Sequence, residues 1–115
     1  MEEAFFRTML FDFYGELLTE KQRTYCELSC NQDLSLAEIA DLCGISRQGV
    51  HDALSHAEAS LRGFEKALGC AERDALLRER VEAAAGALGP LLSHADPAVR
   101  AEAQRVEAAI KTILE

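Results

Sequence analysis

The sequence predicts an all-α protein, and three observations lead to that prediction. The 115-residue chain contains only two prolines and seven glycines, and it has no run of alternating β-branched residues. Alanine, leucine, glutamate and arginine, which favour helices, dominate the composition. Residues 35–54, SLAEIADLCGISRQGVHDAL, place a glycine and polar residues between two apolar, helix-patterned halves. Such a break is typical of a helix-turn-helix.

The first helix is predicted to run from about Glu3 to Leu18. We expect it to bend at Gly15, because a glycine inside a helix costs roughly 1 kcal/mol relative to alanine. Its apolar residues recur at helical spacing, which favours a core or dimer-contact face over a ligand pocket. They are Phe6, Met9, Leu10, Phe13 and Leu17, with Phe5 and Tyr14 widening the stripe.

Two capping boxes mark the starts of the next helices. Thr19 and Gln22 have the T-x-x-Q spacing, and Ser35 and Glu38 have the S-x-x-E spacing. In such a box, the cap and its partner satisfy each other's backbone amides. The polar residues 31–33 between the two boxes read as a loop.

The predicted turn follows the second of these helices, which is expected to end at about Cys43. Gly44 suits the left-handed conformation that ends a helix, and Ser46 suits the cap of the next one. Ala40 is the small residue needed where the two helices cross closely. These features predict a helix-turn-helix rather than an ordinary helical hairpin. The scaffold residues, at the crossing, in the turn or toward the core, are Ile39, Ala40, Gly44, Ile45 and Val50.

The candidate ligand-contacting residues point outward from the second helix of this motif. They are Ser46, Arg47, Gln48, His51, Asp52 and Ser55. Arg47 and Gln48 suit guanine and adenine edges or a phosphate, and the Ser46 cap leaves a helix N-terminus nearby. The alternative is a solvated face without a ligand. The formal net charge of −8 disfavours tight nonspecific binding to nucleic acid, because that binding depends on Lys and Arg.

A further pattern predicts that this helix is long. Apolar residues recur at steps of four and three, typical of a heptad seam along a partner helix: Val50, Leu54, Ala57, Leu61, Phe64 and Leu68. We therefore assign residues 1–68 to an N-terminal helix plus helix-turn-helix domain that runs into a long helix. Residues 69–115 form a helical extension for packing or dimerisation. Within it, Gly89-Pro90 is expected to stop one helix and Asp96 to cap the last.

Several classes of function find no support in the sequence. No Gly-rich phosphate loop, metal-binding quartet or nucleophile–base pair occurs at a recognisable spacing, so we expect no enzyme, no cofactor and no metal site. The four cysteines lack a C-x-x-C spacing and are expected to be reduced, small apolar side chains. The acidic start does not resemble a secretion signal, and no apolar run approaches the roughly 20 residues that span a bilayer.

The chain resembles a known family over residues 11 to about 68. Residues 17–54 are similar to the last DNA-binding region of bacterial sigma factors. More closely, the stretches FDFYGELLTEKQR, DLSLAEIA and GISRQGV resemble the YlxM family of small bacterial helix-turn-helix proteins. The resemblance therefore implies a sigma-region-4-like helix-turn-helix with a long C-terminal helical extension.

The same resemblance implies a cytoplasmic, homodimeric protein of the signal recognition particle pathway that contacts the particle's RNA or its GTPase. Ser46, Arg47 and Gln48 match the family's S-R-Q opening of the second helix. The chain departs from the family's alanine, tyrosine and basic residues on this helix at Gly49, His51, Ser55 and His56. Those departures remove positive charge from the face that would contact nucleic acid.

Three hypotheses of function come from these observations. The leading one is a regulatory component of the particle's pathway that binds the particle's RNA, or DNA, through the Arg47 end of the helix and dimerises through the helical tail. The second is an adaptor that docks on the GTPase by charge complementarity and binds no nucleic acid. The third is a transcription regulator, which the acidic charge disfavours.

Overall fold

The fold is all-α throughout residues 3–115, the part of the chain that this computed structural model describes. That range contains seven α-helices, short 3₁₀ and π-helical turns and no strand, so the all-α prediction is confirmed. Residues 1 and 2, where the predicted first domain begins, lie outside the described residues. The chain divides into two compact units, Met1–Ala71 and Glu72–Glu115, each of which is described by itself.

The first unit contains four complete helices. In chain order they are α1 (Glu3–Tyr14) with the 3₁₀ turn Gly15–Leu17, α2 (Glu20–Cys26) with the π-helical turn Glu27–Asn31, α3 (Leu36–Cys43) and α4 (Arg47–Leu68). The next helix, α5 (Cys70–Ala87), begins in this unit and continues in the second one. The second unit is completed by α6 (Gly89–Leu92), α7 (Pro97–Lys111) and the 3₁₀ turn Thr112–Leu114.

The long helix α4 is the centre of the first unit, because α1, α2 and α3 all pack against it. Four of the six residues in the predicted apolar repeat are buried: Val50, Leu54, Ala57 and Leu61. Phe64 is partly buried against the core. Leu68 is 47% exposed, so its predicted place in the buried seam is wrong. The helix ends at the next residue, Gly69, whose φ of 65° turns the chain away.

The buried face of α1 differs from the prediction. Its buried residues are Leu10, Phe11 and Tyr14, whereas Phe13 is 41% exposed and Leu17 is 57% exposed. The predicted bend at Gly15 is confirmed, since the α-helix gives way there to a 3₁₀ turn. That change of geometry rotates the following residues, so that Leu18 is buried in place of Leu17. Phe5 is also exposed.

Both predicted capping boxes are confirmed. The backbone amide of Gln22 donates to Thr19 Oγ1 (3.2 Å), and the backbone amide of Glu38 donates to Ser35 Oγ (3.1 Å). In each box the side chain of Gln22 or Glu38 accepts in return from the backbone amide of the cap residue. The predicted loop is shorter than expected, because Asn31 closes the π-helical turn. Asp33 has a φ of 55° in the remaining loop, a conformation that aspartate tolerates better than most residues.

The second unit has a small core, in which Val81 and Ala103 are the buried apolar residues. Asp96 caps α7 as predicted, with its carboxylate accepting from the amide of Ala98 (2.9 Å). The predicted stop at Gly89-Pro90 is confirmed, since α5 ends at Ala87, and these two residues then open the separate one-turn helix α6. A proline in the first turn of a helix is tolerated because its missing N–H would have no helical partner there.

Candidate nucleic-acid interface

The turn between α3 and α4 has the backbone geometry of a helix-turn-helix. Gly44 ends α3 with φ 71° and ψ 33°, the left-handed region in which a residue with a Cβ is strained. The carbonyl oxygen of Ala40 accepts hydrogen bonds from the amides of Gly44 (2.9 Å) and Ile45 (3.2 Å). The side chain of Ser46 then caps α4 by accepting from the amide of Gly49 (3.0 Å). Gly44, Ile45 and Ser46 therefore redirect the chain between the two helices. The end of α3 and the start of α4 are both capped by these hydrogen bonds.

All but one of the scaffold residues lie where the sequence analysis predicts them. Ile39 and Val50 are fully buried, and Ala40 is buried where α3 packs against α4. Gly44 is exposed at the turn. The expectation that Ile45 faces the core is wrong, because this side chain is 38% exposed. Its Cδ1 lies beside Gly49, so it covers the outside of the first turn of α4.

The six candidate contact residues are all exposed, and they lie on the N-terminal half of α4 and its cap. Arg47 makes no hydrogen bond or ion pair with any residue in the range 3–115. Gln48 donates from Nε2 to Oδ1 of Asp52 (2.8 Å). His51 also faces this carboxylate, with Nδ1 3.6 Å from the same oxygen. The side chain of Asp52 therefore orients two of the candidate residues and places a negative charge beside them.

The first unit is acidic as a whole. Residues 1–71 contain six Lys and Arg against twelve Asp and Glu, a formal charge of −6. One of the six cations, Arg62, is neutralised by Glu3 and Glu58 at 3.1 Å each. Hydrogen bonds from the backbone and side chain of Ser35 lower the pKa of Glu38, which keeps this carboxylate at the start of α3 anionic. Counterion release can therefore contribute little to binding across most of this surface.

A cleft that the sequence did not reveal lies beside the candidate residues. Its volume is about 400 Å³, and His51 and Ser55 of α4 form part of its wall. Arg7 of α1 also lines the cleft, and the sequence analysis did not identify it as a candidate residue. A charged residue inside the apolar stripe of α1 was the available signal. The remaining lining residues are Ser29, Leu34, Ser35, Leu36, Leu54 and Glu58.

Two further features of the described residues bear on the kind of site. Within residues 3–115, no group of three or more His, Cys, Asp or Glu side chains is arranged to hold a metal ion. Over the same range, no helix combines the length and apolar character needed to cross a bilayer.

Together, the turn at Gly44, the buried crossing at Ala40 and the exposed start of α4 define a helix-turn-helix protein. The chain belongs to the UPF0122 family, whose description is "Putative helix-turn-helix protein, YlxM / p13 like" and whose model matches residues 1–84. The predicted YlxM-type family is confirmed by this match.

Curated relatives support the same assignment. A UPF0122 protein of Caldanaerobacter subterraneus subsp. tengcongensis is 47% identical over 83 residues, which cover 71% of this chain and 71% of the relative. A UPF0122 protein of Thermoanaerobacter sp. strain X514 is 51% identical over 72 residues, covering 63% of this chain and 62% of the relative. A third, from Symbiobacterium thermophilum, is 51% identical over 61 residues, covering 53% and 57%.

Proposed function

We propose that this chain binds nucleic acid through the N-terminal half of α4 and acts as a regulatory component of the signal recognition particle pathway in the cytoplasm. The observation that carries the proposal is the position of Arg47, which is exposed at a capped helix start without a partner in residues 3–115. A guanidinium beside the amides of a helix N-terminus suits a phosphate or a guanine edge. The proposed ligand is the particle's RNA, with DNA as the alternative.

The link to the particle rests on the family resemblance, and the nucleic-acid contact rests on the geometry of α4. Gln48 and His51 extend the proposed contact surface, although each is drawn toward Asp52. Because base-edge contacts and one or two phosphate contacts are the expected interactions, affinity should be modest and specificity should come from the shape of the ligand.

A titration of labelled nucleic acid tests this proposal. We would measure fluorescence anisotropy at low salt with the particle's RNA and with a random DNA duplex, using wild type and Arg47→Ala. The matched control is Arg80→Ala, which removes the same charge from an exposed arginine of α5. Arg47→Ala is expected to weaken binding roughly tenfold, and the control to leave it nearly unchanged. If neither nucleic acid binds at micromolar protein, the proposal is wrong.

A second candidate is favoured by the charge of −6 on residues 1–71. In it, the chain is an adaptor whose acidic surface docks on a basic surface of the particle's GTPase and contacts no nucleic acid. Retention of the purified GTPase on the immobilised chain at low salt, and its release by added salt, is the expected result. Failure to retain the GTPase at low salt rules this candidate out.

We also propose that the second unit mediates homodimerisation. Residues 72–115 bury very few apolar side chains, whereas Leu91, Val106 and Ile113 of this unit are about half exposed. A unit of this size is near the lower limit for a stable isolated core. A shallow apolar groove of about 360 Å³ lined by α6 and α7 includes Leu91 and Val106. Contact with the same unit of a second copy would cover these side chains.

A further inference from the structure

The cleft beside α4 is lined by a cation that has no partner among residues 3–115. The side chain of Arg7 is partly buried on the cleft wall, and it forms no hydrogen bond or ion pair within residues 3–115. Glu58 is the one carboxylate among the lining residues, and Arg62 already binds it at 3.1 Å. Charged side chains are rarely buried without a partner. The cleft is therefore suited to an anion.

The other polar groups of the cleft are mainly hydrogen-bond donors. The hydroxyls of Ser29 and Ser55 make no hydrogen bond to any described residue, so both are available to a ligand. His51 also lines the cleft, but with Nδ1 facing the Asp52 carboxylate its Nε2 donates only when the imidazole is protonated. The guanidinium and the two hydroxyls alone match the several acceptor oxygens of a phosphate better than they match a neutral ligand.

The cleft is also continuous with the outward face of α4. His51 and Ser55 belong to that face and line the cleft at the same time. Arg47, His51 and Ser55 follow one another at intervals of four residues, so at 1.5 Å per residue they span about 12 Å along the helix. A strand held at Arg47 and following α4 would therefore place its next phosphates at the mouth of the cleft.

We propose that this cleft binds a phosphate ester with Arg7 as its cation, and that the ester is the backbone phosphate of a single strand that lies along α4. The strand part of this proposal rests on the proposed function. Unpaired nucleotides fit the site better than a rigid duplex, because a backbone phosphate must leave the helix surface to reach a partly buried guanidinium.

The test compares Arg7→Ala and Arg7→Lys with Arg23→Ala. Arg23 is an exposed arginine of α2 in the same unit and lines a different cavity, so its removal changes the net charge equally. Binding of a labelled single-stranded RNA is measured at several salt concentrations. We expect Arg7→Ala to weaken binding roughly tenfold and to reduce the slope of log affinity against log salt by about 0.7. Arg7→Lys should restore part of the affinity.

A second pair of variants keeps the test valid if Arg7→Ala folds poorly. Leu36→Asp adds a carboxylate at an exposed position that lines the cleft but lies on α3, outside the contact face of α4, and Ala67→Asp adds one at an exposed position near the far end of α4. Leu36→Asp is expected to weaken RNA binding at least fivefold more than Ala67→Asp, because only the first repels a phosphate in the cleft. Equal effects within either pair of variants overturn the proposal.

A titration with ATP and with inorganic phosphate separates the two sources of a phosphate ester. If no RNA binds and Arg47→Ala has no effect, the proposed function fails, whereas Arg7-dependent binding of ATP supports the cleft as a site for free nucleotides. If RNA binding depends on Arg47 but not on Arg7, the result supports the proposed function and overturns the proposal that the cleft binds a phosphate. If no probe binds in an Arg7-dependent manner, the cleft proposal is wrong.

Discussion

The hydroxyl of Tyr14 in α1 donates a hydrogen bond to Oε1 of Glu65 in α4, at 2.5 Å. The same hydroxyl accepts from the backbone amide of Cys70 (2.9 Å), and the same carboxylate oxygen accepts from the amide of Ala71 (3.0 Å). Two side chains from different helices thus satisfy the amides that open α5 just after the chain turns at Gly69. This network fixes the end of α4 and the start of α5 to α1.

Replacing Tyr14 with phenylalanine should destabilise the first unit. The change leaves the Cys70 amide without its acceptor and removes a donor from Glu65, while keeping the buried ring. We expect the midpoint of thermal unfolding to fall by roughly 5 °C. The matched control is Tyr25→Phe, since the hydroxyl of Tyr25 makes no hydrogen bond with the described residues. Equal midpoints for the two variants would show that the network contributes no stability.

The same tyrosine predicts a loss of stability in alkaline solution. Burial and the Glu65 hydrogen bond raise the pKa of Tyr14 to about 12, above its ordinary value of 10.0. The folded protein therefore keeps the phenolic proton at pH values where the unfolded chain has lost it. The contribution of this raised pKa to the stability of the folded protein is complete below about pH 10 and is lost as the pH rises toward 12. Urea unfolding across this range should show a steeper loss for wild type than for Tyr14→Phe.

Replacing either of two glycines of the first unit with alanine should change the free energy of unfolding in opposite directions. Gly44 has a φ of 71°, so Gly44→Ala is expected to cost about 1 kcal/mol through backbone strain, although no atom lies within 4 Å of the added Cβ. Gly63 lies inside α4, where an added Cβ also meets open space. Gly63→Ala should therefore stabilise the chain by about 0.5–1 kcal/mol. Chemical denaturation measures both changes, and stabilisation by Gly44→Ala would contradict the left-handed turn.

The capping box of α3 should make stability depend on pH in acid. Hydrogen bonds with Ser35 lower the pKa of Glu38 below its ordinary value of 4.5, so the folded state holds the carboxylate anionic more strongly than the unfolded chain does. The resulting stability is present above pH 4.5 and is lost as the pH falls through the lowered pKa. Glu38→Gln keeps the hydrogen-bonding shape without the charge. Its stability should vary less between pH 5 and pH 3 than that of wild type, as followed by urea unfolding.

Cys26 should resist alkylation in the folded protein. Its side chain is fully buried, and burial raises the pKa of the thiol to about 11 from an ordinary value of 9.0. Because the thiolate is the reactive form, native protein at pH 8 should show almost no iodoacetamide adduct on Cys26. Cys43 is only partly buried and should be modified faster. Peptide mass spectrometry resolves the two sites, and rapid native labelling of Cys26 would contradict its burial.

The proposed dimer predicts different effects for two neighbouring substitutions on α7. Val106 is 45% exposed on the apolar side of the second unit, and Gln104 is exposed two residues away on another face of the helix. Val106→Glu should shift the chain toward monomer, whereas Gln104→Glu adds the same charge and should leave the dimer intact. Analytical ultracentrifugation measures the outcome. A monomeric wild type, or a dimer unaffected by Val106→Glu, excludes this interface.

The local features of the fold could be predicted from the sequence because their causes are local. The box at Ser35 and Glu38, the left-handed Gly44 and the Ser46 cap each depend on residues within one turn of each other. The buried face of α1 was predicted less well because it depends on the change to a 3₁₀ turn at Gly15 and on a contact between residues 51 positions apart.

The candidate site likewise has one part that could be predicted from the local sequence and one part that could not. The exposed residues that begin with Arg47 could be identified from the spacing within α4 alone. The cleft could not, because Arg7 meets His51 and Ser55 only after α1, the π-helical turn and the start of α3 have packed around α4. Helical periodicity identifies the face of one helix, but it does not reveal which distant charge comes to lie beside that face.

The most direct test of the central claim, that nucleic acid contacts the start of α4, is an NMR titration of isotope-labelled protein with the particle's RNA at low salt. We predict that the amides of residues 46–55 shift most, and that Arg47→Ala raises the RNA concentration at the midpoint of these shifts roughly tenfold while its spectrum stays folded. Shifts confined to the second unit, or no shifts at millimolar RNA, would contradict the claim.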